Sequence, residues 1–437
     1  MSRNFCSSCG ARLTEGAAHC TSCGARVETG APAAAGTSPV APPMQQYGAP
    51  PMAQGHPYPP NMQPPAPGMQ QQPAVPPTPG FGSSILPADF NVAHALTTQL
   101  GLEKVENFSP KTFFGDVFKR RTPEEVEEHL AVGFRHTTPM LSPKMAEMPA
   151  PWLFARTLFY ALVVFIPLYY IYTSTANTKM VPGLIMIGTF AVPVAVLVLF
   201  FELNTPKNVS MARVMYLFMT GAAASLLISI VLFRATGLID VLGAPAAGFV
   251  EEPGKLAAMI LITRSMTNDR YPYALNGLLF GAAVGAGFAA FETAGYALEA
   301  GIGQGPEGMM ESMKLRGALA PFMHVAWTAM VGFAYWRQRA LGMKIGDILA
   351  SPAFLKIFVS AMIIHALWNT NYYGPFYAKF IVLGIVAWII IISMVQIGLK
   401  DVGRRAAAPS DLGLPQGPAA AASAPVLTSP EATPGQG

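Results

Sequence analysis

Between Trp152 and Leu399 the chain is a succession of apolar runs, each long enough to cross a lipid bilayer. A helical crossing takes about 20 residues, and on that measure the block holds about eight of them. The expected fold class is therefore an all-α polytopic membrane protein, a bundle of about eight transmembrane helices. The spans fall near residues 152–173, 181–201, 211–233, 240–262, 274–298, 317–336, 353–370 and 377–399. Charge is scarce to match. Only 12% of the 437 residues are charged, against about 25% in soluble domains. A net charge of +4 is too small to argue for a nucleic-acid partner.

Lysine and arginine gather beside the runs, where they set orientation. Lys119, Arg120, Arg121, Arg135 and Lys144 precede the first run. Lys207 and Arg213 lie between the second and third, and Arg264 and Arg270 after the fourth. Arg337, Arg339 and Lys344 follow the sixth, and Lys400, Arg404 and Arg405 the eighth. Both termini are thus expected in the cytoplasm. Lys314 and Arg316 run against the pattern. Because the first apolar run begins at Trp152, no amino-terminal signal peptide is expected.

The flanks read differently. Cys6, Cys9, Cys20 and Cys23 form two CxxCGAR knuckles ten residues apart. Four thiolates suit one tetrahedral structural zinc, and residues 1–27 resemble a zinc ribbon that offers a surface to a protein partner. All four cysteines lie in this segment, which suits a reducing compartment. Residues 28–84 are rich in Pro, Gly and Gln and read as a disordered linker. Residues 85–150 read as a cytoplasmic helical segment. Within it, Thr122-Pro123-Glu124-Glu125 has the form of a capping box, and the glutamates after it make a solvated helix face. The tail, residues 401–437, is expected to be disordered.

Ionisable groups inside a bilayer are costly, about 2.5–3.5 kcal/mol each on insertion scales, and so point to function. This block carries Glu251, Glu252 and Lys255 in its fourth span, Glu292 in its fifth, His324 in its sixth and His365 in its seventh. Lys255 lies one helical turn from both glutamates of its span. Pro253 should kink or restart the helix. Gly277, Gly281 and Gly285 recur every four residues, a stripe that lets another helix approach closely. The span directions bring the six ionisable groups to similar depth.

Glu251-Glu252-Pro253-Gly254-Lys255 resembles the EExxK signature of the PrsW family of intramembrane proteases, and Phe288-Ala289-Ala290-Phe291-Glu292 resembles its FxxxE signature. His324 and His365 fall on the following spans, where that family carries further histidines. The resemblance covers roughly residues 150 to 400. It implies an intramembrane endopeptidase in a bacterial cell membrane, acting on membrane-associated regulatory proteins such as anti-sigma factors. CAAX-type membrane endopeptidases carry EExxxR and FxxxH instead, although Asn369, four residues after His365, matches their HxxxN pattern.

Amide hydrolysis needs an activated water, a stabilised oxyanion and a proton for the leaving amine. Glu251 or Glu252 suits the base. Glu292 and His324 suit water positioning or proton transfer, and His365 and Asn369 suit donation to the oxyanion. The same glutamates and histidines also suit a zinc ion with an open position, and the residues leave both chemistries open. Two other classes compete. A proton-coupled transporter would use the same intramembrane groups but should show repeated halves, and no internal repeat is seen. A non-catalytic scaffold recruiting partners through the ribbon would be expected to have lost one of the polar motifs.

Overall fold

Helix is the regular structure among the described residues of the computed structural model, which are 92–106, 108–372 and 377–407. The four cysteines, the linker at 28–84 and the tail from residue 408 lie outside them. Five helical segments are long and apolar enough to cross a membrane: Leu153–Thr175, Thr178–Leu203, Met211–Thr236, Ala274–Arg339 and Ala378–Ala407. The protein is a polytopic helical membrane protein.

Short helices come first: α1 (Val92–Gln99), α2 (Pro110–Phe113) and α3 (Pro123–Leu130). The capping box at α3 forms. Thr122 Oγ1 accepts from the Glu125 amide at 3.2 Å, and Glu125 Oε2 accepts from the Thr122 amide at 2.9 Å. The long helices follow as α4 (Leu153–Thr175), α5 (Val181–Leu203) and α6 (Met211–Thr236). Exposed apolar side chains such as Phe159, Val163 and Ile166 on α4 and Leu227 and Ile230 on α6 face outward. In water such surface would be costly; against lipid it is not.

The run expected at 240–262 is divided. A short α7 (Leu238–Leu242) ends at Gly243, whose φ of 61° and ψ of −144° suit only glycine, and α8 (Ala246–Thr263) starts afresh. Pro253 lies inside α8 and does not restart it. The hydrogen bond it cannot give is one bond, and neighbours grip the helix on either side. Gly248 faces the backbone of Met362 and Ala366, and Gly254 faces Ser229 of α6.

Next comes α9 (Ala274–Leu319), 46 residues long with a break at Gly305 (φ 77°, ψ −166°) ahead of Pro306. The stretch expected as a loop between the fifth and sixth spans is therefore helical. It forms a second arm, 306–319, which turns back on the first through Met309, Met310 and Met313 packed with Ala297, Tyr172 and Leu184. The sixth expected span begins late, as α10 (His324–Arg339). α11 (Ile345–Ala350), α12 (Pro352–Trp368) and α13 (Ala378–Ala407) complete the fold. α13 runs to Ala407, so the first residues assigned to a disordered tail are helical.

The glycine stripe does what its spacing implies. Gly277 faces Trp336 and the Gly332 carbonyl, Gly281 the Thr328 carbonyl and Gly285 the His324 carbonyl. α9 and α10 meet almost backbone to backbone, with α5 and α6 on the other sides of α9. A polar layer built from residues 92–150 seals one end of the bundle. Glu103 pairs with Lys400, and Gln396 exchanges hydrogen bonds with the Glu106 backbone. Arg270 donates to the Gly133 carbonyl. Glu202, buried at the end of α5, accepts from the amides of Trp152, Leu153 and Phe154 at 2.8–3.0 Å. It supplies from another helix the cap that α4 lacks locally.

Candidate active site

Six of the seven candidate residues converge. Glu251, Glu252 and Lys255 stand on one face of α8. The carboxylate of Glu292 reaches in from the first arm of α9, His324 is the first residue of α10, and His365 lies in the last turn of α12. Glycines set these separations: Gly285 lets the start of α10 close on α9, and Gly248 lets α12 close on α8.

Lys255 is fully buried and central. Its Nζ donates to Glu252 Oε1 at 2.6 Å and to His324 Nδ1 at 2.8 Å, and stands 3.8 Å from Glu251 Oε2. It also lies 4.5 Å from the centre of the Phe288 ring, the phenylalanine of the FxxxE segment. One helical turn thus presents an aromatic face to the ammonium and a carboxylate to the histidine.

The histidines are held in complementary ways. His324 Nε2 lies 2.9 Å from Glu292 Oε2. Because Nδ1 accepts from Lys255, the ring hydrogen belongs on Nε2 and is donated to Glu292. His365 donates from Nδ1 to Glu252 Oε1 at 2.9 Å, which leaves the Nε2 lone pair free. Trp327 stacks on that ring at 4.3 Å and fixes its plane.

Three electron-rich atoms therefore face one another. Glu251 Oε2 lies 3.9 Å from His324 Nδ1 and 3.8 Å from His365 Nε2, and the three ligand atoms fall within 4.8 Å of one another. Glu251 Oε2 is buried and has no hydrogen-bond partner. Of the three, His324 Nδ1 accepts from Lys255, while the Glu251 Oε2 and His365 Nε2 lone pairs face each other with no proton between them, an arrangement that suits a cation. Two ligands on one tetrahedral zinc, each about 2.1 Å from it, stand about 3.4 Å apart, so the observed spacing is close. Each histidine also gives its far N–H to a carboxylate, the arrangement that orients metal-binding imidazoles. The residues fit a two-histidine, one-carboxylate metal site. The one adjustment needed is that Lys255 release His324 Nδ1.

Exposure locates the mouth. The Lys255, Glu252 and His365 side chains are at most 1% exposed, whereas Glu292 is 17% and Arg316 19% exposed. The cluster opens on the Glu292 side. Asn369 is not drawn in. It caps α12 through its own amide, and among the described residues its side chain makes no hydrogen bond to the other six.

Two contributors escaped the sequence reading. Arg316 reaches from the second arm of α9 to Glu292 Oε2, and Trp327 braces His365. A signal for Arg316 was present, since it violated the charge pattern of the loops. Trp327 gave none, because an aromatic three residues after a histidine is ordinary in an apolar span.

No curated protein and no solved structure matches the chain. Residues 180–396, just under half of the chain, match the PrsW family intramembrane metalloprotease; that segment holds every member of the cluster, so the chain is similar to that family and is an intramembrane protease.

Proposed function

We propose that the chain hydrolyses peptide bonds of membrane-associated regulatory proteins with a metal held by Glu251, His324 and His365. The observation that carries this is the buried, unpartnered Glu251 Oε2 turned toward the free Nε2 of His365 and the Lys255-bound Nδ1 of His324, both on carboxylate-oriented rings. A divalent metal bound there would supply Lewis acidity, activating water and polarising the scissile carbonyl. Glu252 is the base. Lys255 and His365 hold its Oε1, while its Oε2 has no partner and is free to take a proton. That proton leaves water as the water oxygen bonds to the scissile carbon. It then passes from Glu252 Oε2 to the amide nitrogen as the carbon–nitrogen bond breaks. Glu292 holds His324, and Lys255 offsets the local negative charge.

In this reading the bundle makes eight crossings, with α8, α10 and α12 as its shorter members and the 92–150 layer facing the cytoplasm. The segments expected at 1–27, 28–84, 85–150 and 151–400 keep their proposed roles, with a cysteine-bound structural zinc at the first, and the tail expected at 401–437 is shortened by the helical residues up to Ala407. The six clustered residues form the site. Asn369 has no role in this mechanism.

The test compares wild-type full chain with Glu251→Gln. Co-expression with candidate single-span proteins should give cleavage fragments only with wild type. Metal analysis of the purified chains should show one equivalent fewer in the variant, since metal held by the cysteines is common to both. Equal metal content would refute the metal site. Wild-type cleavage rates in Glu251→Gln, Glu252→Gln and Glu292→Gln together would refute the catalytic assignment.

A further inference from the structure

Arg316 stands on the second arm of α9, yet it contacts the first arm at three points. Its Nη2 donates to Glu292 Oε2, its Nε donates to Thr293 Oγ1 at 3.0 Å, and its guanidinium carbon lies 4.3 Å from the centre of the Tyr296 ring. Glu292, Thr293 and Tyr296 span one helical turn, so the planar guanidinium is fixed in position and in orientation. The oxygen it grips is the one that accepts from His324 Nε2. A carboxylate oxygen has two acceptor lobes, and here arginine takes one and histidine the other.

We propose that Arg316 is a positioning residue, clamping from the returning arm of α9 the Glu292 oxygen that orients the His324 ring. Without the clamp, Glu292 sits at the exposed mouth of the cluster and is free to swing toward solvent. His324 would then lose the acceptor that directs its ring. The arm carrying Arg316 is held otherwise by Met309, Met310 and Met313, flexible side chains that specify position weakly. The ion pair is therefore the fixed point between the arm and the reacting groups. Lysine replaces it only in part. Its three donors share one nitrogen on a flexible stem, whereas the planar guanidinium reaches two acceptors on adjacent residues from separate nitrogens in a rigid fork and stacks on Tyr296 as it does so. Lys314, two residues earlier and exposed, lies on another face of the arm and makes no such contact.

This inference rests on the metal-dependent reading, and the experiment separates the two. Full-length protein in lipid nanodiscs is loaded with Co²⁺. Its absorption is recorded as a difference against Glu251→Gln, which cancels any metal held by cysteines. Turnover is measured on a single-span protein that wild type cleaves. Arg316→Gln should lower kcat about 10- to 100-fold and weaken Co²⁺ by a similar factor, the usual cost of losing a group that orients a metal ligand. It should also alter the cobalt bands, with KM and melting temperature near wild type. Arg316→Lys should recover only part of kcat, and Thr293→Val should lose less than Arg316→Gln. Lys314→Gln should match wild type. Arg316→Gln added to Glu292→Gln should cost nothing more, because the two act through one contact. Wild-type kcat and cobalt bands in Arg316→Gln would overturn the proposal, as would a loss wholly explained by a lower melting temperature. If Arg316→Gln does not fold, Arg316→Lys and Thr293→Val decide it on the same readouts. If wild type gives no cobalt difference spectrum, the metal reading fails, and kcat alone then upholds or overturns the clamp.

Discussion

Glu202 and Glu251 are both buried carboxylates near one end of an apolar helix, and their partners give them opposite roles. Glu202 accepts three backbone amides, so its charge is fully engaged in holding the start of α4. Glu251 has an oxygen that accepts nothing. Glu202→Gln turns one acceptor oxygen into a donor facing amide hydrogens. It should cost roughly 1–3 kcal/mol of stability, the range for leaving buried donors unsatisfied. A melting curve in detergent reads this, and cleavage measured below the melting transition should be unchanged. Loss of cleavage with normal stability would place Glu202 in the chemistry instead. Sequence revealed the role of one of these residues and not of the other. Glu251 was legible because Glu252 and Lys255 stand beside it within one turn. The partners of Glu202 lie about 50 positions away, as the backbone of Trp152 to Phe154, and backbone amides leave no mark on a sequence.

At the scale of helices, the separation of α9 and α10 positions His324. A Cβ at Gly285 would meet the His324 carbonyl and the Thr328 side chain, whereas at Gly295 it would meet nothing within 4 Å. Gly285→Ala should therefore displace the start of α10 and cost about 1–3 kcal/mol, the usual penalty for overpacking, together with a loss of kcat. Gly295→Ala on the same helix should leave both unchanged. Equal behaviour of the two variants would show that the approach at Gly285 is slack. The stripe was readable because small residues every four positions form one helix face. The break at Gly305 was not read, since Gly-rich, polar sequence around it suggested a loop, and only packing of the three methionines shows that the arm stays helical. A second element-level effect concerns α3. His129 is buried beside Trp152, and burial, then Lys207 and Arg121, hold its pKa down to about 4. The unfolded chain, with an ordinary histidine near 6.5, binds more protons between those values. The stabilising effect of neutral His129 is complete above about pH 6.5 and is lost as pH falls toward 4. The melting temperature should drop across that window, with a loss of stability of at most about 3.5 kcal/mol at one pKa unit per about 1.4 kcal/mol. His129→Gln should flatten the slope; an unchanged slope would assign it to other groups.

On the scale of the whole molecule, apolar length dictated the bundle, but the attachment of the polar layer was invisible in the sequence. Residues 85–150 read as a separate cytoplasmic segment, because the residues they meet lie up to about 290 positions away. In the structure, Lys400 pairs with Glu103, Ser393 donates to the Glu103 carbonyl, Gln396 brackets Glu106, and Arg270 bonds Gly133. Val126 and Leu130 pack with Trp152 and Leu153 at the head of α4. These contacts distinguish two truncations. A chain starting at residue 92 keeps every one of them, so it should insert, melt close to the full chain and cleave the same substrate at a similar rate. A chain starting at residue 151 strips the partners from Lys400, Gln396 and Arg270 and uncovers Trp152. Exposed ion pairs such as Glu103–Lys400 contribute little. The loss should come instead from apolar surface at Trp152 and from the unpaired Arg270, several kcal/mol together by the usual scales for burial and orphaned charge. The shorter chain should therefore melt well below the longer one even where it still inserts. Identical melting of both truncations would mean that the layer is an attached appendage, and failure of the chain from residue 92 to insert would show that the first 91 residues are needed to build the bundle.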